Sequence, residues 1–274
     1  RKAFAIKANE GRPLSRRDIQ FDFLSHIFDN EDKVFTDPSL SPPERCTFRD
    51  VYVRALIQSP RTAKALREKM QDSADFASDF GKVALLANVG RINTTMTFLP
   101  EMRTNLRTYH PVPSLQKVDP NLQDAPRIKN ILKACHLPDE ADHIPVTPVE
   151  LRTKIAEGVT PSTSIVNLLF VLSNHFTYLV HEHFGRHDVD FLDFFMPVHF
   201  SSASRARAFL WLAFRYYEGT TPNPFDDTPG TSQKGIPRLV ALSPAEFETE
   251  NVDTQDEKAY GEKMCKYRQD FLSK

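Results

Sequence analysis

Residues 201–219 read SSASRARAFLWLAFRYYEG. Ser201 or Ser202 is placed to cap a helix and Gly219 to end it. Between them Ala206, Phe209, Leu210, Ala213, Phe214 and Tyr217 recur at helical spacing. Ala208, Trp211 and Leu212 fill the other sides, so beyond Arg207 the helix is apolar nearly all round. Such a helix must be covered on most sides, by its own chain or by a partner. This segment predicts an all-α fold: an irregular multi-helix body with Pro-rich loops, an extended strap and a C-terminal docking helix.

The flanking sequence supplies the covering helices. Ser15 caps a predicted helix carrying Ile19, Phe23, Leu24, Ile27 and Phe28, and Thr47 starts the next. Ser59-Pro60 reads as a cap followed by Pro at the first helical position, with Ala63, Leu66 and Met70 on one face. Ser73 opens another helix through Phe76, Phe80, Val83, Ala84 and Ala87, stopped by Gly90. Pro100, Pro111, Pro113 and Pro120 break up 91–124, leaving a short helix near 101–107 and then an irregular loop. A helix is expected over 125–135, and Thr147-Pro148-Val149-Glu150 reads as a full capping box. Apolar residues at 165, 168, 169, 172, 176, 179 and 180 predict one helix over 161–184, and Asp188 caps another over 189–196. Prolines and glycines make 220–242 an extended strap. The last helix carries Tyr260, Met264, Tyr267 and Phe271, a seam of about two heptads that needs a body or another chain to dock on. No strand alternation persists. The expected organisation is a basic arm at 1–14, a helical scaffold domain at 15–219, an extended Pro- and acid-rich linker at 220–252 and a C-terminal helix at 253–274.

The 274 residues carry 35 Lys+Arg against 36 Asp+Glu, a net charge of −1 that excludes a polybasic nucleic-acid binder but not a local basic patch. Twenty-one Phe exclude low-complexity disorder, and three dispersed Cys exclude a disulfide scaffold and favour a reducing compartment. The chain opens on Arg1 rather than Met, as a processed product or a part of a longer polypeptide would, and in the latter case breaks are expected around 118–121, 140–143 and 218–223. The longest apolar stretch, 165–180, contains Asn167, Ser173, Asn174 and His175 and reads as a buried helix rather than a membrane span. Charge is unevenly placed. Residues 1–17 hold Arg1, Lys2, Lys7, Arg12, Arg16 and Arg17 against Glu10 alone, a local +5. Residues 243–257 hold six carboxylates and no Lys or Arg, a local −6. The basic arm is the expected DNA or nucleosome contact, because clustered cations release counterions from phosphates.

Signatures of catalysis are sparse. The nine Gly form neither a dinucleotide nor a P-loop fingerprint, GxSxG is missing, and the Cys show no paired spacing for zinc. The best chemical candidate is the run 181–188, His-Glu-His-Phe-Gly-Arg-His-Asp, with His175 upstream. His175, His183, His187 and Asp188 could serve a metal-dependent HD-like phosphohydrolase. However, His181 and His183 point to different helix faces and Gly185 intervenes before His187, which favours a polar helix end. Arg205, Arg207 and Arg215 could hold phosphates or carboxylates, although exposed Arg is usually only solvated. The late aromatic residues are mostly expected inside. The expected partner interface is Arg205, Arg207, Phe209, Trp211 and Phe214 on the central helix, with Tyr260, Met264, Tyr267 and Phe271 on the last one. No enzyme activity and no cofactor are expected.

Several strings together carry a resemblance: DIQFDFL at 18–24, LLANVGRINTT at 85–95, FLPEMRTNLRTYHP at 98–111, LQDAPR at 122–127, NLLFVLSN at 167–174, SRARAFLWL at 204–212 and NPF at 223–225. They resemble the fungal family of subunit one of the Ino-eighty nucleosome-remodelling complex, over most of residues 4–225. The resemblance implies a nuclear, non-catalytic scaffold in the accessory module that assembles on the N-terminal region of the ATPase, beside an HMG-box subunit. Beyond the resemblance, the basic arm makes linker DNA or the nucleosome a further expected partner, and no membrane is expected. It places the nucleotide site on another chain and carries over no catalytic residue.

Overall fold

The computed structural model describes residues 12–92, 111–116, 118–120, 122, 128–140, 142–184, 191–227 and 236–273, with backbone alone at 180, 271 and 272. The helix expected near 101–107 lies outside the described residues. In chain order the elements are α1 (Arg16–Ile19), α2 (Phe21–Phe28), β1 (Phe35–Asp37), β2 (Glu44–Cys46), α3 (Phe48–Gln58), α4 (Lys64–Asp72), α5 (Ala74–Asn88) and α6 (Pro113–Gln116). They continue with α7 (Ile128–Lys133), α8 (Pro148–Ala156), α9 (Ile165–Asn174), α10 (Phe176–His183), α11 (Ser202–Tyr217), α12 (Pro244–Phe247) and α13 (Gln255–Leu272). The fold is mostly helical, as the sequence predicts. Ser15, Thr47, Ser73, Thr147, Ser201 and Thr254 each accept a backbone N–H three residues on, which satisfies a donor that the first turn leaves free.

Five local expectations change, three of them through a contact with a distant part of the chain. The helix expected after Ser15 breaks at Gln20, which takes left-handed backbone angles (φ 57°, ψ 57°) and separates α1 from α2. Ser59 does not cap α4. Its hydroxyl donates to the Ile131 carbonyl at 2.9 Å, so 59–62 form a turn and α4 starts at Lys64. The helix expected over 161–184 begins at Ile165 and breaks at His175, whose ring bonds the Val146 carbonyl at 2.9 Å. Of the helix expected over 189–196, the described part is a 3-10 turn at Phe191–Phe195. The Thr147 box is half made, because the Glu150 carboxylate accepts Val146 N–H at 2.7 Å instead of returning to Thr147. A small antiparallel sheet was also not legible: β1 pairs with β2 in the register Phe35 to Cys46 and Asp37 to Glu44. Three-residue strands are too short to show alternation.

α11 runs through the centre, and α2 packs along it more extensively than any other pair of elements meets. Phe209 meets Phe48 at 5.5 Å, Phe195 at 5.8 Å and Phe23 at 6.0 Å, all edge to face. Phe214 packs on Phe35 and Phe225 on another side. Trp211 lies against His183 and donates its indole N–H to Asp226 at 2.8 Å. Each buried aromatic contributes about 1.5–3 kcal/mol of transfer free energy, so this helix anchors the core. The sequence left open whether its own chain or a partner covers it. Its own chain does.

Arg205 lies inside this packing at 1% exposure. Its guanidinium donates to the carbonyls of Phe194 (2.8 Å) and Met196 (2.9 Å), to Gln20 Oε1 (2.7 Å) and to Ser202 Oγ (3.1 Å). Burial pulls its pKa down to about 10, so it stays charged at neutral pH. The bond to Gln20 accounts for the left-handed break, because the side chain reaches Arg205 from there.

α13 docks on α6 through a narrow contact. A Cβ at Gly261 would lie 2.9 Å from Pro13 and 3.1 Å from Pro113, so only glycine lets the helix approach this closely. The face turned inward is therefore centred on Gly261. Tyr260 and Met264 are half-buried, whereas Tyr267 is 67% exposed.

Arg205→Met should lower unfolding free energy by about 3 kcal/mol, since orphaned buried acceptors cost about 1–3 kcal/mol each. Urea denaturation followed by circular dichroism measures this, and an unchanged midpoint would refute the role given to Arg205. Gly261→Gln should speed tryptic cleavage at Lys258 and Lys263 roughly five- to thirtyfold, the ratio for about 1–2 kcal/mol of lost docking energy. The melting temperature of the body should barely move.

Candidate protein-interaction surface

The acidic segment 243–257 does not trail in solvent. It returns across the N-terminal ends of three helices. Ser201 N–H donates to the Val240 carbonyl at 2.9 Å and Leu242 N–H to His199 at 3.0 Å, which makes a short antiparallel bridge. The Glu250 carboxylate then accepts Ser202 N–H at 3.0 Å and Ser202 Oγ–H at 2.6 Å, at the start of α11. Asn251 exchanges bonds with Asp22 on α2: its Oδ1 accepts Asp22 N–H at 2.9 Å and its N–H reaches Asp22 Oδ2 at 2.6 Å. Gln20, the N-cap of α2, makes no side-chain cap of its own, so Asn251 supplies one from the far end of the chain. Asp253 Oδ1 accepts Arg16 N–H at 2.7 Å, at the start of α1. Carboxylates and amide oxygens suit these positions because unpaired N–H groups and the helix dipole make helix starts positive.

The same segment takes up two of the basic residues. Glu257 holds the Arg16 guanidinium through two bonds at 2.7 and 2.8 Å, and this contact raises the Arg16 pKa. Glu248 holds Arg17 at 2.9 and 3.3 Å. The local +5 and −6 of the sequence are thus in part partners of each other. Arg12 is exposed, and Arg1, Lys2 and Lys7 lie outside the described residues.

The residues expected at a partner interface divide. Arg205, Phe209, Trp211 and Phe214 are buried under this chain's own elements and present no surface. Arg207 is exposed, but its Nε donates to the Phe225 carbonyl at 2.9 Å, which ties down the loop after α11. Tyr260 and Met264 line the docking side of α13, and Tyr267 faces outward. The side chain of Phe271 lies outside the described residues. The histidines do not converge. His175 holds the Val146 carbonyl, His183 bonds the Tyr216 hydroxyl at 2.7 Å, and His187 and Asp188 lie outside the described residues. Among the described residues no group of three His, Cys, Asp or Glu is placed to hold a metal ion. No helix among them is long and apolar enough to cross a membrane. Burial pushes the Cys135 thiol up to about 12, which leaves it unreactive as a nucleophile.

A surface that sequence reasoning missed lies between α8 and α10. Val146 is 60% exposed, Val149 56% and Tyr178 42%. Arg152, one turn along from Val149, donates to the Tyr178 hydroxyl at 2.6 Å and pairs with Glu182. His175 fixes Val146 beside them. The cluster is apolar, rimmed by charge and held by polar bonds, as protein contacts are. The one signal in the sequence was the pair of valines flanking the Thr147-Pro148 cap, while Leu151 carries the buried side of α8.

Comparison with known proteins adds identity to this geometry. The family model described as "Ino eighty subunit 1 N-terminal domain" matches residues 1–272. A protein of Emericella nidulans named "Ino eighty subunit 1" is 39% identical over 285 residues, covering 97% of this chain and 35% of its own length. One of the same name from Saccharomyces cerevisiae is 30% identical over 207 residues, covering 62% of this chain and 30% of its own length. The chain thus spans about a third of the curated relatives it matches. No solved structure matches it. By the match of the family model over nearly its whole length, the chain belongs to the Ino eighty subunit 1 family.

Proposed function

We propose that this chain is a non-catalytic scaffold of the Ino-eighty nucleosome-remodelling complex in the nucleus. It organises the accessory module on the N-terminal region of the ATPase, beside the HMG-box subunit. Family membership supports the complex. The observation that carries the scaffold reading is the exposed cluster of Val146, Val149 and Tyr178 on a rigid frame. Partner binding concentrates in apolar and aromatic anchors of this kind, with Tyr the strongest of the three. The outward Tyr267 on α13 offers a second, separate contact.

Linker-DNA contact through the basic arm narrows to Arg1, Lys2, Lys7 and Arg12. Arg16 and Arg17 are held by Glu257 and Glu248, and a phosphate would have to displace those carboxylates first.

Co-expression of the protein with the ATPase N-terminal region and the HMG-box subunit tests the scaffold reading. Substituting Val146→Ser, Val149→Ser and Tyr178→Ser together should reduce recovery of a partner by at least about tenfold, one hot-spot residue's worth. The melting curve should be unchanged, because these side chains lie on the surface. Undiminished recovery of both partners would refute this face as the contact.

A further inference from the structure

Several cations on this body are matched by carboxylates. Arg54 sits on Asp37, Lys82 on Asp79, Arg152 on Glu182 and Lys154 on Glu140. One cluster without such matching borders a concavity. Arg61 lies in the turn between α3 and α4, and Lys129 and Lys133 lie one helical turn apart on the outer side of α7. None of the three has a carboxylate partner among the described residues. Arg61 and Lys133, with Asn130 and Ala134, line an open concavity of about 460 Å³. Lys64, 88% exposed and three residues beyond Arg61, adds a fourth cation whose one carboxylate contact is Glu68 at 3.7 Å.

The two walls of the concavity are rigid relative to each other. The buried Ser59 hydroxyl, two residues before Arg61, donates to the Ile131 carbonyl of α7. Ile128, Ile131 and Leu132 on the opposite side of α7 are buried in the core. The cations are therefore presented on a fixed frame, at the end of long flexible stems. Like charges gathered without counter-charge repel one another, and the body gains nothing from them in isolation.

We propose that this concavity is a docking site for the phosphate backbone of duplex DNA. The lining offers two cations and an amide, with no carboxylate and no side chain larger than Ala134 to anchor an apolar group. Phosphate contacts need that inventory, since Arg, Lys and Asn bind phosphate oxygens without reading bases. An acidic peptide would instead draw its affinity from buried apolar anchors, which this surface lacks. The site uses none of the residues of the basic arm, and it does not depend on the scaffold reading.

The test uses the isolated chain and a short fluorescein-labelled duplex of arbitrary sequence, followed by anisotropy across a salt series. The variant combines Arg61→Gln, Lys129→Gln and Lys133→Gln, with its melting curve compared to that of the parent. Its Kd should rise at least about tenfold, and the slope of log affinity against log salt should shrink by about 2 to 3, at about 0.9 for each phosphate no longer neutralised. Should the triple variant melt early, Lys133→Glu alone should weaken binding more than Lys133→Gln. Arg12→Gln should weaken binding additively with the triple variant, because the two regions share no partner. Equal affinity and slope for parent and variant would overturn the proposal. So would loss of polyglutamate binding with DNA binding retained, which would make an acidic peptide the ligand. Loss of partner recovery by the Val146, Val149 and Tyr178 variant would leave the DNA result untouched, so the two readings fail separately.

Discussion

One buried guanidinium holds the architecture in register. Arg205 sits on the first turn of α11 and bonds the carbonyl ends of the 3-10 turn at Phe191–Phe195, the side chain of Gln20 and the cap region of its own helix. Removing an arginine from water is costly unless its donors are met. Here the environment is built to meet the four donors of its two terminal nitrogens, leaving Nε–H without a partner: Gln20 takes a left-handed conformation, and the chain at 194–196 turns two carbonyls inward. The aromatic contacts of Phe23, Phe195 and Phe209 then close over this polar centre. Hydrophobic burial supplies the bulk of the stability, and the guanidinium selects which packing is reached.

The acidic strap extends the same logic to the ends of the chain. Helix starts at α1, α2 and α11 carry unpaired N–H groups, and Asp253, Asn251 and Glu250 meet them in turn. The ordering cost of a segment rich in turns and acids is offset by these bonds and by Glu257 and Glu248 on Arg16 and Arg17. A frame closed in this way leaves its outward faces free for other molecules: an apolar one at Val146, Val149 and Tyr178, and a cationic one at Arg61, Lys129 and Lys133.

Much of the local structure was legible because it is governed by short-range chemistry. The caps at Thr47, Ser73 and Ser201 form where a small polar side chain precedes an apolar period. The errors share a cause. Ser59, Gln20 and His175 each carry a polar side chain drawn to a distant backbone or side-chain group, and local propensity holds no record of that group. The candidate surfaces were harder to read for a related reason. Trp211 and Phe214 looked like partner residues because an all-apolar helix is ambiguous between core and interface, while Val146 and Val149 looked like ordinary helix-start residues.

The sequence by itself determined that the chain is helical, where most helices begin, that α11 must be enclosed and that opposite charges gather at the two ends. These follow from side-chain periodicity and capping chemistry, which act within a few residues. Only the tertiary structure decided that the chain encloses α11 itself and that the acidic strap caps helices more than 200 residues away in sequence, as between Arg16 and Asp253. It also decided which cations remain unmatched. Pairing across such separations depends on which surfaces the core brings together, and no local pattern encodes that.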